Sequence, residues 1–306
     1  MRECMTVDKK NTEVAVIVLT YGDYRWLDAT LASVAKQSYP IRTVIVSDDG
    51  ANGVFPIRLR EKYPGVLFRR NVKNIGTVAH MNLTAALTDT PYIKFLSAGD
   101  AFSSPSSLAS LMCFATNNLF PVVASQATVC DETLQKKLYS FPGNRAKYII
   151  TADTARQFKT LAKSNIISAA GTLFHRSFFL KFGGFDEAYH FLEDWPTWLR
   201  ITRQGVRIPF LNQVTCAYGI GGGISSEGID AYASERLRAD MKLCYEKEIL
   251  PYLGSFHPDE VQRIQYGYDV VRGMEHSYLV RKYGWLEQRM IWKRRIKQWL
   301  LKSIKK

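Results

Sequence analysis

Three acidic sites stand where a carboxylate could do chemistry: Asp49, Asp100 and the pair Glu193-Asp194. Asp49 closes the run Val44-Ile45-Val46-Ser47-Asp48-Asp49-Gly50. A carboxylate at the end of a strand can accept hydrogen bonds from the edge of a base or from a ribose hydroxyl, but Asp-Asp-Gly is equally a turn-forming string between strand and helix. Asp100 closes Phe95-Leu96-Ser97-Ala98-Gly99-Asp100. Mg²⁺ takes only one or two protein carboxylates and fills its shell with phosphates and water, so one aspartate there can serve as a ligand. The alternative is an N-cap for the helix that follows. Gly99 just before it lets the backbone come close to a phosphate. Glu193-Asp194 opens Glu193-Asp194-Trp195-Pro196-Thr197-Trp198-Leu199-Arg200, where Pro196 suits a first helical turn. Asp194 then reads as a helix cap or as a general base for a hydroxyl. The two readings are compatible, because a carboxylate at a helix start is rigidly aimed.

These residues need elements to hold them. Apolar β-branched runs predict strands over Val14–Thr20, Thr43–Ser47, Val66–Arg69 and Tyr92–Leu96. Between them, Tyr24–Gln37 has helical spacing with Leu27, Leu31 and Val34 on one stripe, and Asn74-Ile75-Gly76 leads into a helix through Leu87. Alternating strands and helices imply an α/β fold with parallel strands and helices on both faces. Ligands of such sheets collect at the carboxyl ends of the strands, where Thr20-Tyr21, Asp48-Asp49 and Gly99-Asp100 fall. The stretch 103–164 is less regular, with a helix expected over Ser107–Asn117. Beyond it come a strand at Ala169–Phe174, a short helix at Phe178–Phe182, a turn at Gly183-Gly184-Phe185-Asp186, a helix over Glu193–Arg203, an extended piece at Val206–Leu211 and a glycine- and serine-rich loop over Gly219–Gly228. From Ala231 to Lys306 the periodicity is helical, broken near Pro251 and Pro258. The expected division is a catalytic domain over 1–230, with halves at about 14–100 and 101–230, and a basic helical extension over 231–306.

Composition narrows the class. A chain of 306 residues can bury a full α/β core. Its five cysteines are scattered with no Cys-x-x-Cys, which points to free thiols in a reducing cytoplasm rather than disulfides or zinc. Residues 1–13 show no secretory signal, and no apolar run approaches the roughly 20 residues needed to span a bilayer. The formal charge of +13 would attract polyanions, but no zinc-finger, RRM or helix-turn-helix signature accompanies it, so nucleic acid is not an expected partner. From Lys293 onward seven basic residues meet no acidic one, and Trp292, Ile296, Trp299 and Leu300 share a helical face. Such a helix suits the surface of an anionic membrane; its alternative is a docked helix with solvated charges. His80, His175 and His190 read as structural, with His190, four residues before Asp194, as a candidate acceptor contact.

Taken in order, Val16-Ile17-Val18-Leu19-Thr20-Tyr21, Gln37-Ser38-Tyr39-Pro40, Val44 through Gly50, Asn74-x-Gly76, Tyr92 through Asp100, and Gly183-Gly184-Phe185-Asp186-Glu187 followed by Glu193-Asp194 and Arg200 resemble the family 2 glycosyltransferases over residues 14–225. The resemblance implies a GT-A fold, a nucleoside-diphosphate sugar donor, a divalent metal (Mn²⁺ or Mg²⁺) and inversion at the anomeric carbon. It further implies that Thr20, Tyr21, Asp49, Asn74, Gly76 and Gly99 line the nucleotide-sugar site, that Asp100 ligates the metal, that Asp194 is the catalytic base and that Glu193 and Trp195 lie on the acceptor side. The acceptor would be a glycan or a lipid-linked sugar in cell-surface polysaccharide or glycolipid synthesis. The enzyme would then be cytoplasmic or peripheral on the inner face of the plasma membrane. Departures are visible: Ser97 and Gly99 stand where the family carries further metal-binding carboxylates, Gly22 replaces an Asn, and Met81 replaces an Arg before Asn82. No Gln-x-x-Arg-Trp motif of processive synthases occurs, which favours transfer of single sugars. The reduced metal motif keeps open a catalytically weak member that binds sugar nucleotides or a partner. The Gly219-Ile220-Gly221-Gly222-Gly223-Ile224-Ser225-Ser226 stretch lacks a Walker pattern and reads as a loop closing over donor and acceptor or as a plain connector.

Overall fold

Seven consecutive residues from Val14 to Thr20 form β1, and all seven are buried. A strand with no solvent face must be covered on both sides, which explains an unbroken apolar run rather than an alternating one. In the computed structural model, Ile17 and Leu19 point into one hydrophobic cluster and Val14, Val16 and Val18 into a second on the other face. The structure describes residues 12–50, 54–117, 120–220, 231–284 and 286–292.

The elements follow in order as β1 (Val14–Thr20), α1 (Leu27–Ala35), β2 (Thr43–Asp48), α2 (Ile57–Lys62), β3 (Val66–Arg70), α3 (Thr77–Ala85), β4 (Tyr92–Ser97), β5 (Asp100–Phe102), α4 (Ser107–Thr116), β6 (Val122–Cys130), β7 (Lys137–Phe141), α5 (Lys147–Ile150), α6 (Thr154–Lys163), β8 (Thr172–His175), α7 (Ser177–Phe182), α8 (Asp194–Arg203), β9 (Phe210–Gly219), α9 (Ala231–Cys244), α10 (Pro258–Val271) and α11 (His276–Tyr283). One sheet takes the order β3-β2-β1-β4-β8-β6-β9-β5, with β7 added beside β6. β3, β2, β1 and β4 are parallel throughout. Beyond β4 the sheet is mixed: β8 runs antiparallel to both neighbours, β6 and β9 are parallel, and β5 returns antiparallel on β9. The register sets Thr20 beside Asp48 and Leu19 beside Ser97, so the carboxyl ends of β1, β2 and β4 lie side by side. This is the α/β architecture expected, parallel through its first half.

Some elements differ from their sequence reading. Helix α1 starts at Leu27 rather than Tyr24, because the Tyr24 hydroxyl is drawn to the Asp48 carboxylate across the β1–α1 turn. Ala169–Gly171 is a 3₁₀ turn, and only Thr172–His175 is strand. A Cβ on Gly171 would come within 2.7 Å of the Ser125 carbonyl oxygen. The extended piece near 206 becomes a strand only at Phe210 and runs on to Gly219, taking in the first residue of the expected loop; residues 221–228 of that loop lie outside the described residues. The same holds for the C-terminal basic run from Lys293. Cys130, Cys216 and Cys244 are free, buried thiols. Among the described residues no helix is long and apolar enough to cross a membrane.

The C-terminal helices do not stand apart from the sheet. Cys244, Tyr245, Ile249, Phe256 and Ile264 share one core with Trp195, Trp198 and Leu199. Between α7 and α8 the chain turns at Gly183 and Gly184, both left-handed with φ of 72° and 70°. Asn82 on α3 accepts from the Phe185 amide and donates to the Phe185 carbonyl, while Arg200 on α8 donates to the carbonyls of Phe182 and Gly184. A Cβ on Gly184 would meet the Asn82 carboxamide oxygen at 2.6 Å, whereas one on Gly183 meets nothing. Gly183→Ala should therefore cost about 1 kcal/mol for its backbone alone, and Gly184→Ala about 3 kcal/mol, because strain and a broken tether add. Urea unfolding of the two variants checks this; equal losses would contradict it.

Candidate active site

Asp48 ends β2, Asp49 follows it, and the two work in different directions. Asp48 is fully buried and gathers the turn: its carboxylate accepts from the amides of Gly22 (2.8 Å) and Gly50 (2.9 Å), from the Tyr24 hydroxyl and from Arg70 (3.2 Å). Asp49 instead faces the β3–α3 loop. It accepts from Asn71 Nδ2 (2.7 Å), from the Ile75 amide (3.1 Å) and from the Gly76 amide (2.9 Å). Asn74 Oδ1 takes the same Gly76 amide at 2.9 Å. Asp49, Asn74 and Gly76 are thus brought together, though the Asp49 oxygens already hold a loop. Behind them a buried chain runs from His80 through Ser47 and Arg69 to Asn71. Thr20 hydroxyl donates to the Asp23 carbonyl (2.6 Å) and shapes the turn, leaving Tyr21 as the exposed aromatic at this rim.

Gly76 has φ 85°, and a Cβ there would lie 2.5 Å from the His190 imidazole. The sequence reading set His190 on the acceptor side; the structure packs its ring against the Asn74–Gly76 loop, and the charge of Asp49 reaches it.

Asp100 does not cap a helix. It opens the short strand β5, and its carboxylate turns back to accept the Ser97 amide at 3.1 Å. Gly99 has φ 106°, donates its amide to Thr30 Oγ1 at 3.0 Å and packs against Trp26, whose indole N–H has no acceptor among the described residues. The end of β9 lies over this turn, since a Cβ on Gly219 would sit 2.5 Å from the Gly99 carbonyl oxygen. Burial raises the Asp100 pKa to about 6, opposed by the Ser97 amide and by the charge of Lys94. Lys94 is fully buried in β4 and donates to the carbonyls of Phe95 (2.9 Å) and Ala170 (2.6 Å). It is a charged residue that the sequence reading passed over, because a lysine inside a strand carries no motif.

Among the described residues no three His, Cys, Asp or Glu side chains converge on a metal position. Asp100 alone fits only a mixed shell, with one protein carboxylate and the remaining ligands from substrate oxygens and water, as Mg²⁺ accepts.

Glu193 and Asp194 begin α8. Part of each residue reaches the surface while its carboxyl group is enclosed by protein. Asp194 accepts from Asn165 Nδ2 at 2.8 Å and from the Trp195 amide at 2.5 Å. Burial raises both pKa values, and the Asp194 charge raises that of Glu193 further. Neighbouring carboxyls cannot both ionise cheaply, so Glu193 holds a proton while Asp194 is the anionic member. The charges of Asp240 and Asp100 also act on Glu193, so the start of α8 lies within electrostatic reach of the β4 end. Trp195 is a correction. It is 5% exposed, its indole N–H donates to the Leu161 carbonyl at 2.8 Å and its ring meets Tyr245 edge-on, so it is a core residue rather than an acceptor contact.

The profile of the glycosyltransferase-like family 2 matches residues 11–239. Among solved structures, S. aureus TarS 1–349 is similar with a TM-score of 0.54 and 16% identity, covering 92% of this chain and 77% of that one. TarS 1–349 in complex with UDP-GlcNAc gives 0.57 and 14%, covering 90% and 77%. The mannosyltransferase PcManGT from Pyrobaculum calidifontis, in complex with GDP-Man and Mn²⁺, gives 0.59 and 15%, covering 88% and 72%. At these identities the likeness shows a shared fold, that of GT-A glycosyltransferases. No curated protein matches the chain.

The raised pKa of Asp100 has a stability consequence. The folded chain keeps a proton that the unfolded chain releases between about pH 4 and about pH 6, so stability falls as pH rises through that window. Asp100→Asn removes this contribution and should stabilise the protein at pH 7 by on the order of 2 kcal/mol, with no gain at pH 4. Thermal unfolding of both proteins from pH 4 to 8 reads this. A stability difference independent of pH would show that burial does not raise this carboxyl.

Proposed function

The chain belongs to the glycosyltransferase-like family 2, a family of sugar-transferring enzymes, and on that premise we propose that it moves a single sugar from a nucleoside-diphosphate sugar to an acceptor hydroxyl with inversion at the anomeric carbon. The observation that supports this reading is that Glu193 and Asp194, at the start of α8, lie within electrostatic reach of Asp100, just past the carboxyl end of β4.

Asp194 acts as the base. It is held by Asn165 and the Trp195 amide, which fixes its direction and leaves further lone pairs for an incoming hydroxyl. A carboxylate with a raised pKa takes a proton more readily near neutrality than an ordinary one. As the acceptor O–H gives its proton to Asp194, its oxygen bonds to the anomeric carbon while the bond from that carbon to the diphosphate oxygen breaks. The diphosphate leaves with the electron pair. Attack from the face opposite the leaving group inverts the centre. Protonated Glu193 stays neutral beside Asp194 and can donate to an acceptor oxygen. On the donor side, Tyr21 is free to stack on a base, Asp49, Asn74 and Gly76 shape the wall beside it, and Gly99 lets a phosphate approach the chain. Thr20 supports that wall through its turn. A divalent cation, Mn²⁺ or Mg²⁺, held by Asp100 and the diphosphate would supply charge neutralisation on the leaving side.

The acceptor is a glycan or a lipid-linked sugar used in cell-surface polysaccharide or glycolipid synthesis, reached by an enzyme resting peripherally on an anionic cytoplasmic membrane face. The basic tail of the sequence supports that placement. A second reading, a family member that binds sugar nucleotides without turning them over, has one observation in its favour, the single carboxylate at the β4 end.

Asp194→Asn decides between them. With UDP-GlcNAc or GDP-mannose as probe donors, transfer or donor hydrolysis should fall about 10²–10⁴-fold while the KM for donor changes little. Undiminished turnover in a folded Asp194→Asn variant would remove Asp194 as base. A wild-type protein that binds a donor and never consumes it would establish the second reading.

A further inference from the structure

Asp240 on α9 is 3% exposed and ion-pairs with no lysine or arginine among the described residues. One of its carboxylate oxygens accepts three consecutive backbone amides, those of His190 (2.9 Å), Phe191 (2.6 Å) and Leu192 (3.1 Å). A buried carboxylate satisfied by amides alone is a charge-assisted anchor, stronger than bonds between neutral groups. The segment it holds is the loop between the Gly183-Gly184 turn and α8, and the next two residues are Glu193 and Asp194. The same loop meets the donor-side wall, where the His190 carbonyl accepts the Val78 amide at 3.2 Å and the His190 ring lies on Gly76.

We propose that Asp240 is a positioning residue for the transfer: by gathering the amides of residues 190–192, it sets where the Glu193-Asp194 carboxylates stand relative to Asp100 and the donor wall. This rests on the transferase reading above. Removing the anchor lets the loop shift, and a misplacement of about 1 Å at reacting groups can cost on the order of 10²-fold in rate. The charge acts too. Glu193 is faced by Asp194, Asp240 and Asp100, and His190 by Asp240, Asp49 and Arg236, while Asp240 also faces Tyr189 and Cys244. Taking away the Asp240 charge lowers the proton affinity of Glu193.

The test compares full-length wild type with Asp240→Asn, which keeps an acceptor oxygen without the charge, and Asp240→Ala, which removes both. Amide hydrogen exchange over 186–195 is read against β1 as an internal control, and kcat, KM and pH profiles are measured with UDP-GlcNAc or GDP-mannose. In Asp240→Ala, exchange at 190–192 should rise about 10-fold or more with β1 unchanged, and kcat should fall about 10–100-fold with donor KM within about threefold. In Asp240→Asn, the alkaline limb of the kcat profile, where Glu193 gives up its proton, should move to lower pH. Unchanged exchange in folded variants overturns the anchor. Loosened exchange with kcat and its pH profile unmoved overturns the positioning role. If wild type consumes neither donor, exchange still decides the anchor, and the transferase reading falls separately.

Discussion

A carboxylate taken out of water must be met by hydrogen-bond donors, and in this protein the donors are mostly main-chain amides of loops. Asp48 gathers Gly22 and Gly50, Asp49 gathers Ile75 and Gly76, Asp100 takes Ser97 and Asp240 takes residues 190–192. Each aspartate thereby fixes a segment that would otherwise have no regular structure to hold it. An amide bonded to an ionised group is worth more than one bonded to a neutral carbonyl. The loops around the candidate site are therefore organised by the same kind of charge that the proposed transfer uses for chemistry.

The sheet decides where these anchors fall. Because β1, β2, β3 and β4 are parallel, every connection leaves from the same edge, and their terminal polar residues are neighbours by register. Beyond β4 the sheet turns mixed, and β9 returns its last residues over Gly99. The proposed acceptor side is built differently, from α8 and the loop before it, tied to α3 through Asn82 and to α9 through Asp240. The proposed donor and acceptor walls thus belong to separate elements joined by a few side chains. That leaves Asp194 held by two neighbours, Asn165 and its own helix start, rather than by the sheet. The cost is borne as raised proton affinity at Asp100, Glu193 and Asp194, which lowers stability near neutral pH and, in the proposed transfer, suits Asp194 to act as base.

Much of the donor half could be read from residue order. The apolar runs of β1, β2 and β4 are long, β-branched and bounded by polar turns, so their place and edge follow from pattern alone. The second half resisted for physical reasons. β6 and β9 pair with shifts in register around Gln126, which erases a clean period. Trp195 sits one residue from the carboxylates in sequence yet turns inward on a helix, because a 3.6-residue period sends neighbours to different faces. Asp240 left no trace: a single aspartate in an amphipathic helix looks like a solvated charge, and only the fold shows its carboxylate among three amides. Asp48 and Asp49 could not be told apart by type, and their tasks differ because one ends the strand facing the β1–α1 turn while the other, just past it, faces the β3–α3 loop.

The most direct test of a sugar-nucleotide site at these strand ends is thermal unfolding with a panel of nucleoside-diphosphate sugars, each with and without Mn²⁺. A ligand that binds only the native state at about a hundredfold excess over its Kd adds about 2.7 kcal/mol. One sugar nucleotide should raise Tm by about 5 °C, Mn²⁺ should enlarge the rise, and Asp100→Ala should abolish the enlargement while the nucleotide still binds. A folded protein whose Tm no nucleotide or sugar nucleotide moves, at millimolar concentration and with either metal condition, would contradict this.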